Sequence, residues 1–498
     1  MSKEHRLVIM GGGVLGWLTM AVWSFFSYKN SGSSCNLLSC FNIADFSGGV
    51  FFYLLFLFSL GFSGFYAYKF LIQTNKMSAP ENKNWFVAVS GIFLLAAFLA
   101  PSLNTHDISF YFSAGKAVNQ GFNVFTDKWP MVNVYISEPS VQESKGIMYG
   151  PITIKLFAVL YKTVRGNAFV FVMIWKFFMA ICSLITLLLM WKIIHVLYPK
   201  PVEFWKLALF WFCQPLLIWQ WVGNGQFDAL WLIFVLMAIL FSIKKRWSAV
   251  IVFLTIGIWI KFIPVLMAPW FVLWWWQDVD KSNWKKSALQ VVVGLTAGVF
   301  ITVVSWEAFW GGLITLQPIA MQTKWAIGSI FSVLYFSLKP VFYFLFGANV
   351  HWLLTRLIHL IVGVGALYLV YPVIKKGFYI LIKKSVWQPV NYINAIFISM
   401  LIYLSVWQKS FWPWYVAWLL PFGLITFLNN GSIVLKKILV WISFAPLFFY
   451  ALWAVNHAFR NTDGPGELWF QWVVVCVMWI YPLAQLYIGR KSGYELPG

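Results

Sequence analysis

Apolar runs of about 20 residues recur from one end of the chain to the other, separated by short polar stretches. That is the length an α-helix needs to cross the hydrocarbon of a bilayer. The pattern predicts helices at about 8–28, 49–71, 85–101, 167–196, 203–221, 228–243, 287–305, 351–374, 389–407, 413–429, 434–455 and 468–488. The run 248–277 is too long for one simple span and contains Pro264 and Pro269, which predicts a broken or re-entrant pair. The stretch 326–348 is left open. Between 102 and 165 the pattern changes to two shorter amphipathic pieces, 108–118 and 149–164; the second carries Lys155 and Lys162 and is expected to lie flat on the membrane surface. The fold class expected is an all-α polytopic integral membrane protein with about 11–14 transmembrane helices.

Composition agrees. Of 498 residues 61% are hydrophobic and 10% charged, against roughly a quarter charged in aqueous domains, which excludes a soluble domain of any size. Many of the 32 Trp and 21 Tyr cluster at the ends of apolar runs, as interface belts do. The formal charge of +21 does not mean a nucleic-acid partner, because it is split into short clusters between apolar runs: Lys244-Lys245-Arg246, Lys281 with Lys285-Lys286, Lys375-Lys376, Lys383-Lys384, Lys436-Lys437 and Arg490-Lys491. This is the positive-inside pattern. Threading the helices from a cytoplasmic N-terminus, marked by Lys3 and Arg6, puts every such cluster inside. It puts Asp107, Asp127, Glu138, Glu143, Asp228, Glu307, Asp463 and Glu467 outside. "MSKEHR" has no small-residue cleavage site after its apolar run and is read as the start of a retained helix. Cys182, Cys213 and Cys476 fall in apolar runs as packing residues, and Cys35 and Cys40 share a loop where a disulfide is open to formation.

Polar groups abut apolar helices at five places, all threaded to the same side: His106-Asp107; Tyr149-Gly150-Pro151; Asn224, Gln226 and Asp228; Lys261; and Lys409 with Trp412, Trp414 and Tyr415. An ionisable group at membrane depth is costly and points to function. Each has a plainer reading. Asp107 and Asp228 are helix caps as readily as acids of a site, Lys261 snorkels, the tryptophans form a belt, and Pro151 opens a helix.

The order of these segments resembles the GT-C superfamily of membrane glycosyltransferases that use polyprenyl-phosphate sugars, in its mannosyltransferase branches. Those have an aspartate at the membrane edge of a first large outer loop, then "GxNPY" and "YGP", "GNGHNDAL", "K-x-x-P…P" and "PWYLxWLLP". This chain has "DISFYFSAGKAVNQGFNVF" after Thr105-His106, "YGP" at Tyr149, "GNGQFDAL" from Gly223 to Leu230, "KFIPVLMAP" from Lys261 to Pro269 and "PWYVAWLLP" from Pro413 to Pro421. The likeness covers about residues 100–425. It departs where many relatives carry a second acid beside the first, and where Gln226-Phe227 replaces His-Asn.

The resemblance implies a GT-C fold with an extra helix pair at 1–84, a catalytic module at 85–310 that includes the outer loop 102–165, and C-terminal helices at 311–498. It implies transfer of a hexose, mannose favoured, or a pentose, with inversion, from a polyprenyl-phosphate donor to a hydroxyl of a lipid or glycan acceptor. The site then lies on the extracytoplasmic face of the plasma membrane, within membrane lipid. Asp107 is the implied general base, with His106 beside it. Lys261, Lys409, Lys324 and Arg356 are candidates for the donor phosphate; Tyr111, Tyr149, Asn224, Gln226, Asp228, Trp412, Trp414 and Tyr415 are candidates for sugar or acceptor. No cofactor is implied, and the scattered acids do not suggest a divalent-metal cage. The rival readings are a flippase or transporter of lipid-linked sugars, for which paired broken helices in two halves are the usual sign, and an O-antigen-type polymerase or ligase, which would rely on outer arginines.

Overall fold

A chain this apolar satisfies its backbone groups within helices wherever it meets lipid, and most of the described residues are helical. The computed structural model describes residues 9–19, 50–72, 83–99, 107–132, 139–145, 147, 149–199, 202–279, 284–316, 328–347, 351–382, 385–408, 411–427, 433–460 and 468–491. In order these form α1 (Ile9–Thr19), α2 (Val50–Ile72), α3 (Lys83–Leu99), α4 (Asp107–Asn119), a hairpin of β1 (Lys128–Val132) and β2 (Pro139–Lys145), α5 (Pro151–Thr163), α6 (Ala168–Leu197) and α7 (Phe204–Cys213). Then come α8 (Pro215–Gly223), α9 (Asp228–Ile243), α10 (Trp247–Ile260), α11 (Ala268–Asp278), α12 (Trp284–Trp306), α13 (Ile330–Phe346), α14 (His351–Leu381), α15 (Pro389–Trp407), α16 (Leu420–Phe427), α17 (Ile433–Arg460) and α18 (Leu468–Gly489). The protein is an all-α polytopic membrane protein. Among the described residues six helices are long and apolar enough to cross a membrane, α8 with α9 forms a pair bent by 116°, and other apolar helices of 10–17 residues accompany them.

Most predicted helices stand where the apolar pattern puts them, and the open stretch 326–348 contains α13. The expected span 203–221 is divided. Gln214 is extended and Pro215 restarts the chain, because proline carries no N–H to continue α7; the Gln214 side chain accepts from Leu216 N in its place. The hairpin β1–β2 is unforeseen. It pairs antiparallel with Lys128 opposite Lys145 and Pro130 opposite Glu143, and β1 buries Trp129 against Phe110 of α4. Cys182 and Cys213 are buried as expected, whereas Cys476 is exposed; Cys35 and Cys40 lie outside the described residues.

Small residues set the closest helix contacts. Gly294 and Gly298, one turn apart on α12, let it press on Ile251 and Thr255 of α10, where an added Cβ would stand 3.0 Å from either side chain. The opposite face of α12 presents Leu289, Val292, Val299 and Phe300, all exposed, as a lipid-facing helix does. Gly115 brings α4 onto α5 in the same way, its Cβ position 2.5 Å from the Phe157 carbonyl oxygen. One core of buried Trp, Phe and Leu side chains runs through the helices from α2 to α18.

Candidate active site

The broken run 248–277 supplies the first wall. α10 stops at Ile260, Lys261 is extended, and a 3₁₀ turn from Ile263 to Met267 precedes α11. Pro264 and Pro269 forbid a continuous helix here, so the last carbonyls of α10 need outside partners. The Tyr149-Gly150-Pro151 segment provides them. Gly150 N donates to the Ile260 carbonyl at 3.0 Å and the Thr153 hydroxyl donates to the same oxygen at 2.9 Å. Only glycine fits, since a Cβ at 150 would lie 1.9 Å from the Trp259 carbonyl oxygen. Two separated motifs are thus one joint.

A second joint ties α4 to the loop Gly223–Asp228. Gly225 has φ +66°, a backbone suited to glycine, and a Cβ there would stand 2.6 Å from Ile108 Cδ1, next to Asp107. The Gly225 carbonyl accepts from Trp175 Nε1 at 2.7 Å. Gln226 Nε2 then donates to Asp107 Oδ2, while Tyr111 Oη donates to Gln226 Oε1 at 3.3 Å. Tyr111 is fully buried, stacked on Phe157 with centroids 4.6 Å apart and edge-on to Tyr149. Burial above all holds the Tyr111 and Tyr149 phenols well above their ordinary pKa, so both stay protonated.

Asp228, which opens α9, is fully buried and accepts from Lys261 Nζ at 2.5 Å and from Trp231 Nε1 at 3.3 Å. Around the ammonium stand the rings of Trp418, Phe227 and Tyr415, at 4.5, 5.2 and 5.2 Å from their centroids. Such rings attract a cation through their quadrupoles.

These parts enclose a cavity of about 350 Å³. Asp107, Tyr149, Gln226 and Lys261 line it, with Phe262, Ile263, Val265 and Leu266 of the broken segment, and with Tyr403, Gln408, Trp412, Trp414, Tyr415 and Trp418 from the later part of the chain. Residues from all five sequence segments therefore face one space. The Trp412 and Trp414 rings stack 4.9 Å apart at 10°, and Tyr415 and Trp418 at 4.2 Å. An apolar groove of about 540 Å³ between α11, α14 and α15 shares Leu266 and Tyr403 with this cavity as walls.

Other candidates fall elsewhere. Asn224 is buried and donates to Gln220 Oε1 at 3.0 Å, and Gln220 in turn donates to the Tyr450 hydroxyl, so Asn224 belongs to the frame of α8 rather than to the cavity wall. Arg356 is exposed on α14, its guanidinium 5.1 Å from the Trp352 ring, and does not line the cavity. His106, Lys324 and Lys409 lie outside the described residues. Sequence reasoning missed Tyr403 and Gln408. Tyr403 opens a π-helical turn to Trp407, a feature with no sequence signature, whereas Gln408 adjoins Lys409 and was within reach. Among the described residues no three His, Cys, Asp or Glu side chains gather as metal ligands would.

The family model of the MptA/B family, described as the alpha-(1->6)-mannopyranosyltransferase N-terminal domain, matches residues 10–277, more than half of the chain. The chain belongs to this family. It is a membrane glycosyltransferase of the mannosyltransferase kind, and no curated protein matches it beyond that. The match to the MptA/B family takes in Asp107, Tyr149, Gln226, Asp228 and Lys261. It ends before Tyr403 and the Trp412–Trp418 wall, which the fold brings to the same cavity.

Proposed function

We propose that the protein moves a mannosyl unit from a polyprenyl-phosphate donor to a hydroxyl of a lipid or glycan acceptor at the extracytoplasmic face, with inversion and with Asp107 as general base. The observation that carries this reading is the junction at Leu266 and Tyr403: a polar cavity bearing a carboxylate and an ammonium adjoins an apolar groove. A polyprenyl phosphate has that same division, a tail for the groove and a charged sugar-bearing head for the cavity.

Attack on the anomeric carbon forms a bond to the acceptor oxygen, breaks the bond to the phosphate oxygen, and releases one proton from the acceptor and a lipid phosphate. Asp107 takes the proton, a contribution of about 10²–10⁴-fold. Lys261 stabilises the charge growing on the phosphate; among the described residues one of its three donors serves Asp228, and the ammonium lies at the cavity wall where an anion would meet it. Lys409 and Lys324 are further proposed cations for the same phosphate. Tyr149 and the stacked Trp412 and Trp414 offer π-faces and a hydroxyl to sugar rings.

The test is sugar transfer by the purified chain in lipid, offered polyprenyl-phosphate mannose, glucose and arabinose with lipid-extract acceptors. Mannose transfer that is lost in Asp107→Asn is expected. Undiminished transfer in that variant removes the base assignment, and movement of lipid-linked sugar across the bilayer without transfer would favour a flippase.

A further inference from the structure

We infer that Gln226 is a positioning residue for the Asp107 carboxylate, with the Tyr111 hydroxyl fixing which way its amide faces. The inference rests on the reading of Asp107 as the base. An ionised carboxylate only accepts hydrogen bonds, so the amide edge turned to Asp107 Oδ2 must be Nε2. Oε1 then faces Tyr111, whose hydroxyl donates at 3.3 Å. Tyr111 is itself held by ring contacts to Phe157, Trp175, Phe227 and Tyr149. Gln226 is 2% exposed and follows Gly225, whose backbone is locked against Ile108 and Trp175. Tyr111 and Gln226 are therefore both held in place, and the Asp107 carboxylate is tied to them.

A base on the first turn of a short helix needs such a tether, because a carboxylate free to rotate spends little time aimed at the acceptor. The donated N–H also favours the ionised form, the one that accepts a proton. The other titratable groups near Asp107 are Tyr149, Lys261, Tyr403 and Tyr415 on the cavity wall, Asp228 paired with Lys261, and His106 next in the chain. All of them are retained when Gln226 or Tyr111 is changed, so a change in Asp107 titration reads this contact.

The experiment needs no substrate. Infrared titration of the full chain in lipid nanodiscs, each form measured against the same form carrying Asp107→Asn, isolates the Asp107 carboxyl band. In Gln226→Leu the carboxylate loses a donor to its charged form, and its protonation midpoint is expected to rise by about one pH unit. Tyr111→Phe keeps the stacked ring and is expected to move the midpoint in the same direction by less. A Gln226→Leu midpoint equal to the native one overturns the inference. If that variant does not fold, Tyr111→Phe decides, and an unmoved midpoint there overturns it. These results are separate from the fate of Asp107 as base, which transfer by Asp107→Asn alone reads.

Discussion

The Lys261 ammonium lies 2.5 Å from Asp228 Oδ1, and neither side chain has more than a small share of its surface exposed. The second Asp228 oxygen is buried and accepts no hydrogen bond among the described residues, where the lysine is what balances that carboxylate. A pair of this kind gives little net stability when intact, but removal of one member leaves an uncompensated buried charge. Its location at the cavity edge points to function as the reason for keeping it.

Lys261→Met and Asp228→Leu should each destabilise the protein, by about 3–5 kcal/mol. The double variant should recover most of that loss, because it removes both desolvation costs at once. Transfer should remain absent in all three forms. Thermal unfolding in nanodiscs alongside a mannosyl-transfer assay separates the two effects. A double variant as active as the native chain would show that Lys261 plays no part at the phosphate.

Gly150 offers a sharper structural test. Alanine there would place a Cβ 1.9 Å from the Trp259 oxygen and 2.3 Å from its carbonyl carbon, both of which are backbone atoms. The Ile260 carbonyl would lose its tie to Gly150, and the break that carries Lys261 would move. Gly150→Ala should lower the unfolding temperature by several degrees and abolish transfer. Gly91→Ala on α3, where nothing stands within 4 Å, should change neither. Equal behaviour of the two variants would refute the joint.

Gly225→Ala adds two costs. Its φ of +66° is unfavourable for alanine, and its Cβ would press on Ile108, the neighbour of Asp107. The expected result is an intact fold with transfer reduced at least tenfold in kcat and a smaller change in KM, because the base shifts while the groove is untouched. Steady-state kinetics at saturating donor reads this directly. A loss confined to KM would contradict it.

The helices and the five site segments were legible because period and composition report burial in lipid, and because the segments stand at the ends of apolar runs. Tyr149, Lys261 and Trp414 line the cavity. What a linear reading could not supply were contacts made across the chain. Gln226 and Asp107 are 119 positions apart, and no pattern at either site announces a bond between them. Asn224 looks like a ligand group in sequence, yet its amide donates to Gln220, one helical turn back, which draws it into the frame. The β1–β2 hairpin escaped notice because both strands are short, each carries a proline, and neither alternates cleanly between apolar and polar residues.

The apolar groove yields the last prediction. If it takes the donor's tail, narrowing it should weaken donors in proportion to the chain they bury there. Ala366, half-buried on its α14 wall, leaves room for a larger side chain without entering the polar cavity. Excluding about two methylenes from the groove forfeits roughly 1.6 kcal/mol, which is about tenfold in affinity. Ala366→Trp should therefore raise KM for a long-chain prenyl-phosphate mannose about tenfold. For a donor too short to reach the groove, KM should stay as in the native chain, and kcat should be similar for both because Asp107 and Lys261 are not displaced. Measuring both constants with a long and a short donor decides the matter. An equal change for the two donors would mean that the tail lies elsewhere.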